Sequence, residues 1–189
     1  FVGGWLKQGG RKAENLEHRS MLTLDADFAT MDLLESLSMF YGCAAAVYST
    51  HKHCTDTPRL RLIVPLTRQL SGDEYQAVAR MLANDLGMDL FDDTTYQPTR
   101  LMYWPSTPVD QQYYFDCTDG PWLNPDTLLA RYPDWRDTSY WPESSRAANV
   151  RHTAAKHQGA PTAKPGVVGA FCRTYNVEQA IERFLPDRY

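Results

Sequence analysis

Residues 21–27 read MLTLDAD, and the reading of this stretch decides the fold. Apolar residues alternate with small or polar ones, which is the period of a β-strand. A helix is expected next, over residues 29–41, because Met31, Leu34, Leu37 and Tyr41 recur at helical spacing. Gly42 stands where such a helix should stop. CAAAVYS (43–49) is a short apolar run that predicts a buried strand, and RLRLIVPL (59–66) alternates clearly as another. Ser71 and Glu74, three residues apart, form a capping box for a helix through Leu86. Tyr75, Val78, Leu82 and Leu86 make its apolar stripe, and Gly87 closes it. TRLMYW (99–104) predicts a strand stopped by Pro105, and residues 113–117 predict one more. Strand, helix, strand, strand, helix, strand is the split βαβ order of an α+β, RRM-like (ferredoxin-like βαββαβ) fold.

Working outward, the character of the chain changes after residue 118. Pro, Trp and Asp are frequent up to Trp141, and residues 143–164 show little periodicity. We therefore expect a core over residues 1–118 and a mostly helical or loop subdomain over 119–189, with a linker from Ser144 to Pro165. Between Ser144 and Val177 stand Arg146, Arg151, Lys156, Lys164 and Arg173 and no acid, which suggests a clamp for a polyanion. Asn176 is expected to cap a short helix carrying Val177, Ala180, Ile181 and Phe184. The chain opens on Phe1-Val2-Gly3-Gly4-Trp5 without Met and stops just past that helix, so it reads as a piece of a longer protein.

Composition narrows the classes. With 189 residues, 43% of them apolar and 12% aromatic, the chain has enough to build a packed core, and global disorder is excluded. A net charge of -4 argues against a polycation that coats nucleic acid, though not against one basic cleft. No apolar run approaches the roughly 18 residues of a membrane span. Cys43, Cys54, Cys117 and Cys172 form no C-x-x-C pair, so neither a zinc ribbon nor a disulfide framework is expected. That usage fits a reduced, cytoplasmic-type protein.

Asp25 and Asp27 are the first residues that suggest chemistry. Side chains at i and i+2 of a strand share a face, roughly 7 Å apart along the chain, where two carboxylates can share hard divalent cations. A chain with this much Asp contains about one D-x-D by chance. The context is what counts, because Asp25 interrupts an apolar strand where an unpaired carboxylate would be costly. The plain alternative is a solvated strand end. Ser49, His51 and Lys52 stand at the end of the second predicted strand. With Arg59 and Arg61 they offer the hydroxyl, imidazole and cationic donors that suit a triphosphate, or else an ordinary basic hairpin. Asp92 and Asp93, ahead of Arg100, could supply a further carboxylate, or mark a solvated turn. Tyr103, Trp104, Tyr113 and Tyr114 could stack on bases. His51-x-His53 also suggests a nuclease metal site with Tyr113 or Tyr114 as nucleophile, except that Lys52 stands where such a motif has an apolar residue.

The order of these signals carries more than any one of them. Leu24-Asp25-Ala26-Asp27, Ser49-Thr50-His51 and Phe91-Asp92 resemble, in succession, the D-x-D, S-x-H and hydrophobic-Asp motifs of the archaeo-eukaryotic primase superfamily. RLMYWPS (100–106) and GAFCRTY (169–175) are similar to segments of the virulence-associated E-like primase-polymerase domains of phage and mobile-element replication proteins. The resemblance implies a primase catalytic core and two Mg²⁺ or Mn²⁺ ions on Asp25, Asp27 and Asp92, with Asp93 as the rival third ligand. It places Ser49 and His51 on a nucleoside triphosphate, and leaves Lys52, Arg59, Arg61 and Arg100 as candidate phosphate partners. Single-stranded DNA template and primer, a helicase domain in the same full-length chain, and a bacterial host cytoplasm are implied with it. A His-x-His replication-initiator nuclease and a non-catalytic RRM-like single-strand-binding module are the alternatives.

Overall fold

The computed structural model describes residues 1–7, 10–147 and 166–185. The chain divides into two compact units, Phe1–Ser145 and Arg146–Tyr189. The first unit carries β1 (Gly4–Leu6), β2 (Leu16–Ala26), α1 (Leu33–Tyr41), β3 (Ala45–Ser49), β4 (Leu60–Leu70), α2 (Gly72–Leu86), β5 (Phe115–Thr118) and α3 (Pro125–Leu129). The five strands form one sheet in the order β1-β2-β4-β3-β5, with every neighbouring pair antiparallel. The α+β class is as the sequence predicts.

Alternation sorts the sheet into two faces. Leu22, Leu24 and Ala26 of β2, Leu60, Leu62 and Val64 of β4, and Ala45 and Val47 of β3 are buried in the core. Leu33, Leu34 and Leu37 of α1 and Tyr75, Val78, Leu82 and Leu86 of α2 belong to the same core. The capping box forms as expected: Ser71 Oγ accepts the Glu74 N–H, and the Glu74 carboxylate accepts the Ser71 N–H. Gly42 ends α1 at φ +55°, a left-handed conformation that other residues adopt only with strain.

The opposite face presents the intervening residues, and register sets them side by side. Asp25 pairs with Arg61, Arg61 with Tyr48, and Tyr48 with Phe115. This cross-strand row runs over the opposite face of the sheet, and its Asp25 and Arg61 line the site described below.

One expected strand does not form. Residues 99–104 stand outside the sheet, whereas residues 115–118 pair as β5. In the split βαβ pattern the fourth strand lies beside the first, and that edge is already taken. Gly3 O accepts the N–H groups of Ser20 and Met21 at 3.0 and 3.2 Å, and β1 pairs along residues 16–19. Farther along, Asp25 donates its N–H to Thr95 Oγ1 at 2.8 Å, and Asp25 O accepts the Asp92 N–H at 2.9 Å. Residues 99–104 are left one layer out, with the Met102 N–H on Phe1 O at 2.8 Å. The three inner strands keep the order first, third, second.

After β5, Asn124 caps α3, and Leu128, Leu129 and Tyr132 are buried in the same core. The Tyr132 hydroxyl donates to Ala77 O of α2 at 2.8 Å. In the second unit, helices Gly166–Thr174 and Val177–Phe184 are described. Asn176 and Gln179 cap the latter reciprocally, as Asn176 promised. From residue 148 the expected linker, with Arg151, Lys156 and Lys164, lies outside the described residues. Among those described, no helix is long and apolar enough to cross a membrane.

Candidate active site

A cleft of about 700 Å³ opens over the face of the sheet that carries Asp25 and Arg61. The end of β2 brings Asp25 and Asp27 to it, and the turn after β3 brings Thr50, His51 and Lys52. The start of β4 adds Arg59 and Arg61, and the segment after α2 adds Asp92, Arg100 and residues 103–106. Eight of the nine residues predicted for the site thus meet in one place. Ser49 is the ninth. Its side chain is buried, and its Oγ accepts the Tyr114 N–H at 2.9 Å, fastening the end of β3 rather than lining the cleft. Asp92 lines the cleft; its neighbour Asp93, in the turn that follows, does not.

Each cleft carboxylate is paired with an arginine. Arg61 approaches Asp25 Oδ1 through Nε at 2.7 Å and Nη2 at 2.5 Å. Its Nη1 donates to Tyr103 O at 2.7 Å and to the Tyr48 hydroxyl at 3.2 Å. Arg59 meets Asp27 Oδ1 at 3.1 Å, and Arg100 meets Asp92 Oδ2 at 3.4 Å. Thr94 adds its N–H and hydroxyl to the two oxygens of Asp92, an N-cap that fixes the carboxylate's direction. Burial pushes the Asp25 carboxyl above its ordinary pKa, and the Arg61 charge offsets this only in part. Burial also opposes the Arg61 charge, but Asp25 and Tyr48 outweigh it and hold that guanidinium above its ordinary value.

His51 Nδ1 stands 3.4 Å from Ser106 Oγ across the cleft. His53 faces elsewhere: it is buried, and its Nδ1 accepts the Arg59 N–H at 3.1 Å. The two imidazoles of His51-x-His53 therefore do not face one metal. Sequence reading missed Tyr48 and Ser106. Tyr48 had a legible signal, since it alternates with the buried Val47 and so had to face the other side of the sheet.

The donor chemistry fits hard divalent cations, which take carboxylate oxygens. Asp25 and Asp27 each keep Oδ2 without a hydrogen-bond partner among the described residues. Among those residues, however, no group of three His, Cys, Asp or Glu side chains stands ready as a cage. A cation at this site would be held by Asp25 at the end of β2 and Asp27 in the turn after it, with Asp92 drawn in from its arginine.

A family model described as the VapE N-terminal domain matches residues 1–144. Among solved structures, the AEP domain of the cyanophage S-2L primase-polymerase is similar at 13% identity, over 68% of each chain, with a TM-score of 0.47. No curated protein matches the chain.

Proposed function

The chain belongs to the VapE N-terminal domain family, and from that premise we propose that it is the catalytic domain of a DNA-dependent primase-polymerase. The reaction is nucleotidyl transfer from nucleoside triphosphates on a single-stranded template. The observation that carries this reading is the convergence of Asp25, Asp27 and Asp92 with His51, Lys52, Arg59, Arg61 and Arg100 in one cleft. The three-motif resemblance, read from distant stretches of sequence, called for Asp25, Asp27, Asp92 and His51 together; the four cations were candidates that the motifs left open. Four permanent cations against three carboxylates suit a ligand that is itself a polyanion.

The cations divide by how firmly they are held. Arg61 is fixed by Asp25, Tyr48 and Tyr103 O, so it orients the buried carboxylate and is spent on that task. Arg59 and Arg100 each hold one carboxylate, and their side chains are about one-third exposed, so they can turn to phosphate oxygens. Lys52 and His51, from the turn after β3, face the same ligand. Two divalent ions on Asp25, Asp27 and Asp92, when bound, supply neutralisation of the triphosphate and activation of the attacking hydroxyl. The attacking 3′-hydroxyl gives up its proton to solvent as its oxygen bonds to the α-phosphorus, the bond from that phosphorus to the α–β bridging oxygen breaks, and pyrophosphate leaves with that oxygen. Arg59, Arg100 and Lys52, which line the same cleft, would stabilise the charge on that leaving group. A helicase domain in the same full-length chain and a host-cell cytoplasm remain part of this proposal.

Nucleotide incorporation on a primed single-stranded DNA template with Mg²⁺ or Mn²⁺ tests the reading. Template-directed extension is expected from the native chain and not from the Asp25→Asn, Asp27→Asn double variant. DNA cleavage without nucleotides would point instead to the nuclease. Single-strand binding with neither extension nor triphosphate binding would point to the non-catalytic module.

A further inference from the structure

Tyr103 and Trp104 line the cleft and yet remain 73% and 74% exposed. Their backbone, by contrast, is firmly anchored. Tyr103 O accepts Arg61 Nη1 at 2.7 Å and the Tyr48 hydroxyl at 2.9 Å. Met102, one residue earlier, is fully buried, with its N–H on Phe1 O. The Trp104 ring leans on the Phe1 ring, centroids 5.1 Å apart. The main chain is held from below while two aromatic side chains are presented outward beside a cluster of cations. Aromatic rings next to a phosphate-binding groove form a stacking surface, because every base has a π-face to lay on them.

Resting on the reading of the cleft as a nucleotide-phosphate site, we propose that Tyr103 and Trp104 form a nucleobase platform. It receives the base of a nucleotide whose phosphates lie toward Lys52, Arg59 and Arg100. An incoming nucleoside triphosphate and a template strand offer the same π-face, so the chemistry is shared and the source is a matter for experiment. Arg61 binds both Asp25 and Tyr103 O, so one fixed guanidinium sets the position of the platform's backbone relative to the strand carboxylate.

The test is equilibrium binding in Mg²⁺ of three probes: a nucleoside triphosphate, inorganic tripolyphosphate and a short single-stranded DNA. The proteins are the native chain, a Tyr103→Ala, Trp104→Ala double variant, Arg59→Ala, and Trp122→Ala as a control 60% exposed and outside the cleft. The double variant is expected to bind the nucleoside triphosphate roughly tenfold or more weakly, with tripolyphosphate and the control unchanged. A loss confined to the DNA would still support the platform and assign it to a template base. Equal losses for nucleoside triphosphate and tripolyphosphate would overturn it, as would no loss for either base-containing probe. Arg59→Ala should weaken nucleoside triphosphate and tripolyphosphate alike. If the native chain binds neither of those two, the phosphate reading fails and the platform falls with it. If both bind and Arg59 matters but the aromatics do not, the platform alone is wrong.

Discussion

Asp25 lies in β2 and Asp27 in the turn just after it, and the two carboxylates line one cleft in different environments. The side chains of Asp25 and Arg61 are 12% and 7% exposed, whereas those of Asp27 and Arg59 are 35% and 34% exposed. Removing one partner of a buried pair strands a charge and typically costs about 3–5 kcal/mol, while an exposed pair is worth about 1 kcal/mol or less. Arg61→Ala is therefore expected to lower stability by about 3 kcal/mol, and Arg59→Ala by under about 1 kcal/mol, in urea unfolding. Triphosphate affinity should follow the reverse logic, with Arg59→Ala weakening it in a protein of nearly native stability. Equal destabilisation by the two variants would show that the division between positioning and binding arginines is wrong. The acids and arginines themselves were legible in the sequence as types in a pattern. Which arginine serves which acid was not, because Arg61 reaches Asp25 only through strand register across 36 positions of chain.

Among the elements, those built from local rules were read correctly in kind: α2 from its capping box and stripe, β4 from its alternation, and α1 from its spacing and Gly42, although α1 starts at Leu33 and leaves Met31 exposed outside it. The strand expected at 99–104 failed because its place depends on a competitor, β1, which is only three residues long and has no periodicity to read. Close approach lets β1 in. A Cβ on Gly3 would lie 2.5 Å from Met21 Cγ, and one on Gly4 would collide with the His18 carbonyl. Gly4→Ala is expected to cost about 1–3 kcal/mol by overpacking, seen as a lower urea midpoint and faster amide exchange at Ser20 and Met21. Unchanged exchange there would show that β1 does not hold this edge. A second tie joins α2 to the chain after α3: Arg131 grips Asp85 through two contacts of 2.5 and 2.8 Å, and the Tyr41 hydroxyl donates to the same carboxylate. The Arg131 hydrogen bonds hold the Asp85 pKa below its ordinary value, against the opposing effect of burial. A depressed carboxylate stabilises the fold above its unfolded pKa, near 3.9, and that stability is lost as pH falls through the lower folded value. With Arg131 45% exposed, Asp85→Asn should cost about 1 kcal/mol near neutral pH after allowing for solvent screening. The deficit should shrink as pH falls below about 4. A deficit independent of pH would mean that packing, not charge, makes this tie.

At the scale of the whole molecule, every residue of the apolar core cluster lies between Leu22 and Tyr132, and the cleft is complete by Ser106. A chain of residues 1–145 is therefore expected to unfold in one cooperative transition and to bind tripolyphosphate as the full chain does. A broad or split transition would show that residues 146–189 are needed for the fold. If neutral substitutions at Arg146, Arg151, Lys156 and Lys164 leave single-strand affinity and its salt slope unchanged, the basic stretch is no clamp. The sequence by itself determined the α+β class, the inner strands, both long helices and the identities of eight cleft residues. The class, strands and helices rest on interactions within a few residues of chain: alternation, helical spacing, side-chain caps and a left-handed glycine; the cleft residues were named by type and by the order of three motifs resembling a known family. Only the tertiary structure decided which segment fills the edge of β2, that Ser49 is a fastening rather than a wall, and that His53 turns from His51. It also decided that each acid carries its own arginine and that Tyr103 and Trp104 stand exposed over an anchored backbone. Those outcomes turn on competition between segments far apart in sequence for one strand edge and one buried volume, and no local pattern records who wins.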